Sequence, residues 1–104
     1  MSDDIALSEA PEAERYEIRV GGELAGFLEY RGRGDVRALV HTEIDSAYEG
    51  RGLGGRLVGF VLDDVRAREG MTIVPICPFV HKYLDEHEEY LDLMQPHIRA
   101  AFHL

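Results

Sequence analysis

The stretch from Glu49 to Arg56 interleaves four glycines, Gly50, Gly52, Gly54 and Gly55, with two arginines, Arg51 and Arg56, and leads into an apolar run with helical spacing. Glycine lets a backbone approach a ligand closely and adopt dihedral angles closed to other residues. The unpaired N–H groups of a helix's first turn, with the positive end of its dipole, form an anion site. A pyrophosphate suits such a site, with Arg51 or Arg56 adding charge from the side. Two other phosphate-binding arrangements are excluded. No Gly-Lys-Ser/Thr triplet opens the helix, and the segments ahead of it alternate like antiparallel strands, not like a parallel βαβ unit. The competing reading is architectural: the glycines simply let the helix pack closely on a strand.

Other reactive side chains flank this loop. His41 and Glu43 stand two apart on an alternating segment, so both face one side of a strand, as a proton-accepting pair or as a solvated polar face. Cys77 precedes Pro78, which suits the first position of a helix, and a helix N-terminus favours a reactive thiolate. The alternative for Cys77 is a small buried residue at a strand end. Tyr83 falls within the helix begun by Pro78, either as a proton donor or as part of an apolar stripe with Phe79 and Val80. The histidines His81, His87, His97 and His103 are spaced by 6, 10 and 6 residues, which puts no i, i+4 pair on one helix face and argues against a metal site.

The elements that must position these groups follow from periodicity. Met1–Ala13 is acidic, contains Pro11 and has no clear period, so it reads as a flexible tail. Arg15–Val20 alternates, Gly21-Gly22 is a two-residue hairpin signal, and Glu23–Tyr30 is the return strand. On that return strand Leu24, Leu28 and Tyr30 share one face, with Ala25 and Phe27 on the other. Val36–Ile44 is a third strand, with Arg37, Leu39, His41 and Glu43 on one face and Val36, Ala38, Val40, Thr42 and Ile44 opposite. From Leu53 the period changes to helical and persists to Gly70. Thr72–Ile76 reads as a fourth strand, at an edge because of Pro75. A short helix over Phe79–Glu86 follows, with Phe79, Val80, Tyr83 and Leu84 inward, and then loosely helical spacing from Glu88 to Leu104. The result is an α+β domain over residues 14–104: an antiparallel β-meander, a central helix, a further strand and a short helix.

Composition narrows the class. A hydrophobic share of 45% in 104 residues suits one folded domain. The formal charge of −9 disfavours nucleic acid and favours cationic partners. No apolar run approaches a membrane-spanning length and no signal-peptide core opens the chain, so a cytoplasmic setting is expected. The single cysteine leaves no internal disulfide.

The string Tyr48-Glu49-Gly50-Arg51-Gly52-Leu53-Gly54, after a meander and before the central helix, resembles the pyrophosphate motif Gln/Arg-x-x-Gly-x-Gly/Ala of the GNAT acetyltransferase superfamily. Glu49 stands where that family carries Gln or Arg, which leaves phosphate binding to the backbone amides. His41-Thr42-Glu43, the glycine loop, and Cys77-Pro78-Phe79 followed by Tyr83, His87 and Tyr90 resemble the small GNAT-like branch with its Cys-Pro-Phe…Tyr…His-Pro-Glu-Tyr pattern, with Glu88 in place of the proline. The resemblance runs from about Tyr16 to Leu93 and implies an N-acetyltransferase using acetyl-CoA. It implies cofactor contacts from Ile44, Glu49, Gly50, Arg51, Gly52, Leu53, Gly54, Gly55 and Arg56, with a backbone N–H near Glu43 or Ile44 holding the acetyl carbonyl. The same resemblance nominates His41 or Glu43 as base, Cys77 as acetyl relay or thiol contact, and Tyr83 as acid. The acceptor is an amine, on a small molecule or a protein, and the chain a monomer or homodimer. A non-catalytic CoA-binding or interaction module is the alternative, since the chain is short for the superfamily.

Overall fold

In the computed structural model, which describes residues 4–104, five strands form one sheet whose spatial order is the order of the chain. Strands β1 (Ile5–Ala10), β2 (Arg15–Val20), β3 (Glu23–Arg31) and β4 (Val36–Ile44) pair antiparallel in succession. The central helix α1 (Leu53–Ala67) then crosses over to β5 (Thr72–Pro75), which pairs parallel with β4 at the sheet edge, where Pro75 is tolerated. Helix α2 (Pro78–Glu86), a 3-10 turn at Glu88–Leu93 and helix α3 (Pro96–Ala101) complete the chain. No helix among the described residues is long and apolar enough to cross a membrane.

Hydrophobic periodicity decides which face is covered. Tyr16 and Ile18 of β2, Leu28 of β3 and Leu39 of β4 are fully buried against Leu57, Val58, Val61, Leu62 and Val65 of α1 and against Val80 and Leu84 of α2. Each such side chain contributes roughly 1.5–3 kcal/mol when removed from water. The hairpin between β2 and β3 turns on Gly21 and Gly22, with φ of +56° and +87°. Those angles are strained for any other residue, and they match the right-handed twist of the strands.

The N-terminal segment differs from its expected reading as a tail over residues 1–13. Residues 1–3 lie outside the described region, but Ile5–Ala10 is a strand, registered on β2 from Ile5 opposite Val20 to Ala10 opposite Arg15. The ties that hold it are distant in sequence. Glu9 accepts hydrogen bonds from Tyr30 Oη (2.5 Å), Arg68 Nη2 (2.6 Å) and Arg37 Nη1 (3.3 Å). Arg37 Nη1 also donates to Tyr16 Oη (2.5 Å), and Tyr16 Oη donates to Asp64 Oδ2 (2.6 Å). One polar cluster therefore fastens all four antiparallel strands to the last turn of α1. Burial and the hydrogen bond to Glu9 push the Tyr30 phenol up to about 12, so it remains a donor.

Two bulges reassign faces that simple alternation had fixed. Between Ile18 opposite Gly26 and Arg19 opposite Leu24, β3 carries one extra residue, Ala25. Ala25 is consequently buried and Leu24 moves off the core face, the reverse of the alternation expected for both. Between Tyr30 opposite Leu39 and Glu29 opposite His41, β4 carries the extra residue Val40. Arg37 and Leu39 therefore face α1, whereas His41 and Glu43 face the uncovered side of the sheet beside Phe27 and Glu29. The expected common face of Arg37, Leu39, His41 and Glu43 is split at the bulge.

Candidate active site

The loop after β4 is built to leave a helix terminus unfilled. Asp45 accepts a hydrogen bond from Ala47 N (2.9 Å), which organises a 3-10 turn at Ser46–Tyr48. Glu49 is extended, with φ −65° and ψ 153°. Gly52 then occupies the N-cap of α1 at φ 73° and ψ 17°, a left-handed conformation, with no side-chain cap and no acidic residue in the first turn. The amides of Leu53, Gly54 and Gly55 thus point out of α1 at its positive end. Arg51 lies over the Tyr48 ring, 5.4 Å from its centroid, and the Tyr48 hydroxyl donates to Glu23 (3.2 Å).

The second component is a gap in the sheet. The β4–β5 ladder runs only from Val36 opposite Thr72 to Leu39 opposite Pro75. Beyond it Cys77 N donates to Leu39 O (2.8 Å), and the strands part at the Val40 bulge. The Val40–Ile44 end of β4 therefore has β3 on one side and an unpaired edge on the side of Cys77. At its tip β4 comes so close to β3 that a Cβ on Gly26 would lie 2.6 Å from Glu43 O and 2.5 Å from Ile44 Cδ1.

The candidate side chains fall on two sides of this gap. Cys77, at the N-cap of α2, is only 4% exposed, and its thiol donates to the Thr42 hydroxyl (3.5 Å) on the helix-covered face. His41 and Glu43 lie on the opposite face, their side chains about half exposed, with His41 Nε2 3.3 Å from Glu43 Oε1. The His41 ring lies 6.1 Å from that of Phe27, over which Arg15 is also placed. Thus the His41–Glu43 pair is brought together as expected, and Cys77 is separated from it by the strand. Thr42 was not nominated by the sequence. Its position between His41 and Glu43 was the available signal, since alternation must turn it to the other face.

The third component is a groove of about 720 Å³ between α1 and α2, within the size range of ligand pockets. It owes its depth to glycine. A Cβ on Gly54 would lie 2.7 Å from the Phe79 ring, and one on Gly59 would lie 3.0 Å from the Tyr83 hydroxyl. Phe79, expected to point inward with Val80 and Leu84, is instead 45% exposed on the lip of this groove, while Val80 and Leu84 are buried. Tyr83 lies over Gly55 and Gly59 with its ring stacked on His87, centroids 3.8 Å apart and planes at 11°. Burial, then the charges of Asp63 and Glu89, push its phenol up. Its hydroxyl is therefore directed at α1, and no contact links it to Cys77.

Residues 15–93 match the sequence family described as GCN5-related N-acetyl-transferase. The chain belongs to that family. As a GCN5-related N-acetyltransferase it transfers an acetyl group to an amine, and the family as a whole uses acetyl-CoA as donor. Among solved structures, the ribosomal-protein-alanine N-acetyltransferase of Brucella melitensis biovar Abortus 2308 aligns with a TM-score of 0.58 and 17% identity, covering 91% of this chain and 92% of that one. At that identity the likeness speaks to the fold. No curated protein sequence matches the chain.

Proposed function

We propose that this N-acetyltransferase binds acetyl-CoA across the α1 N-terminus and the β4–β5 gap, and passes the acetyl group directly to an amine arriving from the uncovered face of the sheet. The pyrophosphate rests on the amides of Leu53, Gly54 and Gly55, within the Glu49–Arg56 loop, with Arg51 and Arg56 beside it. The observation that carries the reading is the uncapped, acid-free first turn of α1, which opens beside a strand edge left unpaired by the parting of β4 and β5. An arm containing amides pairs naturally with such an edge, here Val40 to Ile44, as an added strand would. The backbone N–H of Glu43 or Ile44 then polarises the thioester carbonyl.

The amine nitrogen attacks the carbonyl carbon, the carbon–sulfur bond breaks, and CoA leaves as its thiolate, which takes a proton from water. His41 and Glu43, on the uncovered face, take the proton from the amine. Direct transfer is favoured over a cysteine relay because Cys77 and the proton acceptors lie on opposite sides of β4. A relay would require a base beside the thiol, and its hydrogen-bond partner is the Thr42 hydroxyl. Cys77 and Thr42 line the slot for the thioester sulfur. Tyr83 belongs to the binding groove.

Titration calorimetry with CoA, intact mass after acetyl-CoA without acceptor, and an amine screen monitored by thiol release test this together. CoA is expected to bind, the mass to stay unchanged, and His41→Ala with Glu43→Ala to lower turnover roughly 10²-fold or more. A gain of one acetyl group that disappears in Cys77→Ala would replace direct transfer by a relay. Absence of CoA binding would overturn the site.

A further inference from the structure

The uncovered face of the sheet carries charges that the fold itself leaves only partly matched, and they adjoin the pair His41 and Glu43. Strand register fixes their places. On β3, Phe27 lies between Glu17 of β2 and Glu43 of β4, and Glu29 lies between Arg15 of β2 and His41 of β4. Side chains directly opposed in this way have Cβ atoms about 4.5–5.5 Å apart. Phe27 and Glu29, both half-buried, therefore separate the exposed pair on β4 from the ion pairs on β2.

The cations near this patch are committed elsewhere. Arg15 Nη2 and Arg19 Nη2 both pair with Glu17, at 2.8 and 3.0 Å. Arg31, two residues beyond Glu29 on the same strand, turns its Nη1 to Tyr30 O (2.7 Å). Among the described residues, the Glu29 carboxylate has no ion pair and accepts no hydrogen bond, and Glu43 has only His41 Nε2 at 3.3 Å. Two carboxylates on adjacent strands thus lack a guanidinium partner, with the Phe27 ring beside both. That ring already holds one cation of the chain's own, since the Arg15 guanidinium carbon lies 4.8 Å from its centroid. An aromatic ring next to two unmatched carboxylates suits a positive charge carried on a slender alkyl stem.

The same inventory shows what is unwelcome. An acceptor carrying a carboxylate would meet Glu29 and Glu43, while the arginines that could receive it are held by Glu17. An extended peptide would need a strand edge to pair with, and the Val40–Ile44 edge is the one assigned to the acetyl donor.

We infer that the acceptor is a short aliphatic diamine or polyamine. One amine, in its neutral form, reacts beside His41 and Glu43, and a second, protonated amine lies between Glu29 and Glu43 with the intervening methylenes on Phe27. Neighbouring strands are about 4.8 Å apart, so a spacer of a few methylenes joins the two positions. The reacting nitrogen forms its bond to the acetyl carbon as the carbon–sulfur bond breaks, its proton goes to His41 or Glu43, and the CoA thiolate takes a proton from water. The second ammonium only binds. The inference rests on the direct-transfer reading above and adds to it Phe27 and Glu29 as specificity-determining residues.

The test is steady-state thiol release by the full chain with acetyl-CoA and a panel of acceptors. The panel holds putrescine, spermidine, butylamine (the same carbon chain as putrescine with one charge), 4-aminobutanoate (a carboxylate in place of the second ammonium) and a basic lysine peptide. Wild-type kcat/KM should be at least about tenfold higher for putrescine than for butylamine, carried by KM, with 4-aminobutanoate below both. Glu29→Gln should bring the putrescine-to-butylamine ratio close to one, Phe27→Leu should narrow it, and the exposed control Glu12→Gln should keep the wild-type ratio. Because each ratio is read within one protein, a loss of folded fraction cancels. In parallel, spermidine added to CoA-saturated protein should shift the Phe27 and His41 nuclear magnetic resonance signals more than butylamine does. Equal kcat/KM for putrescine and butylamine would overturn the inference and leave the transferase reading in place, as would a preference for the peptide over both polyamines. Absence of both turnover and signal shift with spermidine in CoA-loaded protein would overturn it too. Failure of CoA itself to bind would remove the reading beneath it.

Discussion

Replacing Glu9 by Ala is the sharpest perturbation of this fold, because the first strand depends on that carboxylate. Glu9 is 14% exposed and receives three donors, from Tyr30, Arg68 and Arg37. Removing one partner of a buried ion pair costs about 3–5 kcal/mol, mostly because the other charge is left uncompensated. That range must be reduced here. Arg68 is 42% exposed and keeps Asp64 at 3.0 Å, so its share is small. Arg37, 13% exposed, keeps Tyr16 Oη at 2.5 Å and has Asp64 at 3.9 Å. The Tyr30 phenol, itself a buried group, loses its acceptor at a cost of about 1–3 kcal/mol. These terms overlap and do not add, which leaves a net loss of about 2–3 kcal/mol. For a domain of this size that corresponds to a fall in Tm of roughly 10–20 °C. Urea unfolding of Glu9→Ala beside Glu12→Ala, an exposed control, measures it, and the control should move by less than about 0.5 kcal/mol. If the Glu9 variant also moves by less than about 0.5 kcal/mol, β1 is not fastened to the sheet and the cluster does not act as described.

Three further outcomes are expected. Gly26→Ala places a methyl group against Glu43 O and the Ile44 side chain at about 2.5 Å, so it should destabilise the domain by several kcal/mol and depress turnover by displacing the end of β4, as checked by denaturant unfolding and a thiol-release assay. Gly52→Ala meets no neighbour, so it should cost only the left-handed backbone penalty, about 1–2 kcal/mol, with CoA affinity falling as the N-cap shifts; an unchanged midpoint in urea would contradict the assigned geometry. At Glu17, burial alone would raise the carboxyl, but hydrogen bonds from Arg15 and Arg19 outweigh it and hold the carboxyl below its ordinary value. A depressed folded value means stability fully present above the unfolded carboxylate range and lost as pH falls through the lower folded one. Wild-type protein should therefore exceed Glu17→Gln in stability at neutral pH, with the difference vanishing in acid; a constant difference across that range would refute the ion pairs.

Local pattern alone determined a large part of this protein. The helical period from Leu53, the Gly21-Gly22 turn, the alternation of Arg15–Val20 and the glycine loop before α1 all depend on neighbours within a few residues, so a single chain reading resolves them. The phosphate-suited helix terminus was legible for the same reason: glycines, a missing cap and a missing acid are local facts. What tertiary structure decided depends on groups far apart in the chain. The segment Ile5–Ala10 lies within the acidic, small-residue-rich stretch Met1–Ala13, which has no clear period, and it becomes β1 through its ladder to β2 and through Glu9 meeting Tyr30, Arg37 and Arg68. The bulges at Ala25 and Val40 are each set by the register of two strands, and one of them turns His41 and Glu43 away from Leu39, Thr42 and Cys77. Nor could spacing reveal that α2 would lie along the glycine stripe of α1, with Phe79 against Gly54 and Tyr83 against Gly55 and Gly59. A period of two or 3.6 assigns residues to a face of their own element; which faces meet is fixed only when the elements pack, and here that packing made the gap and the groove.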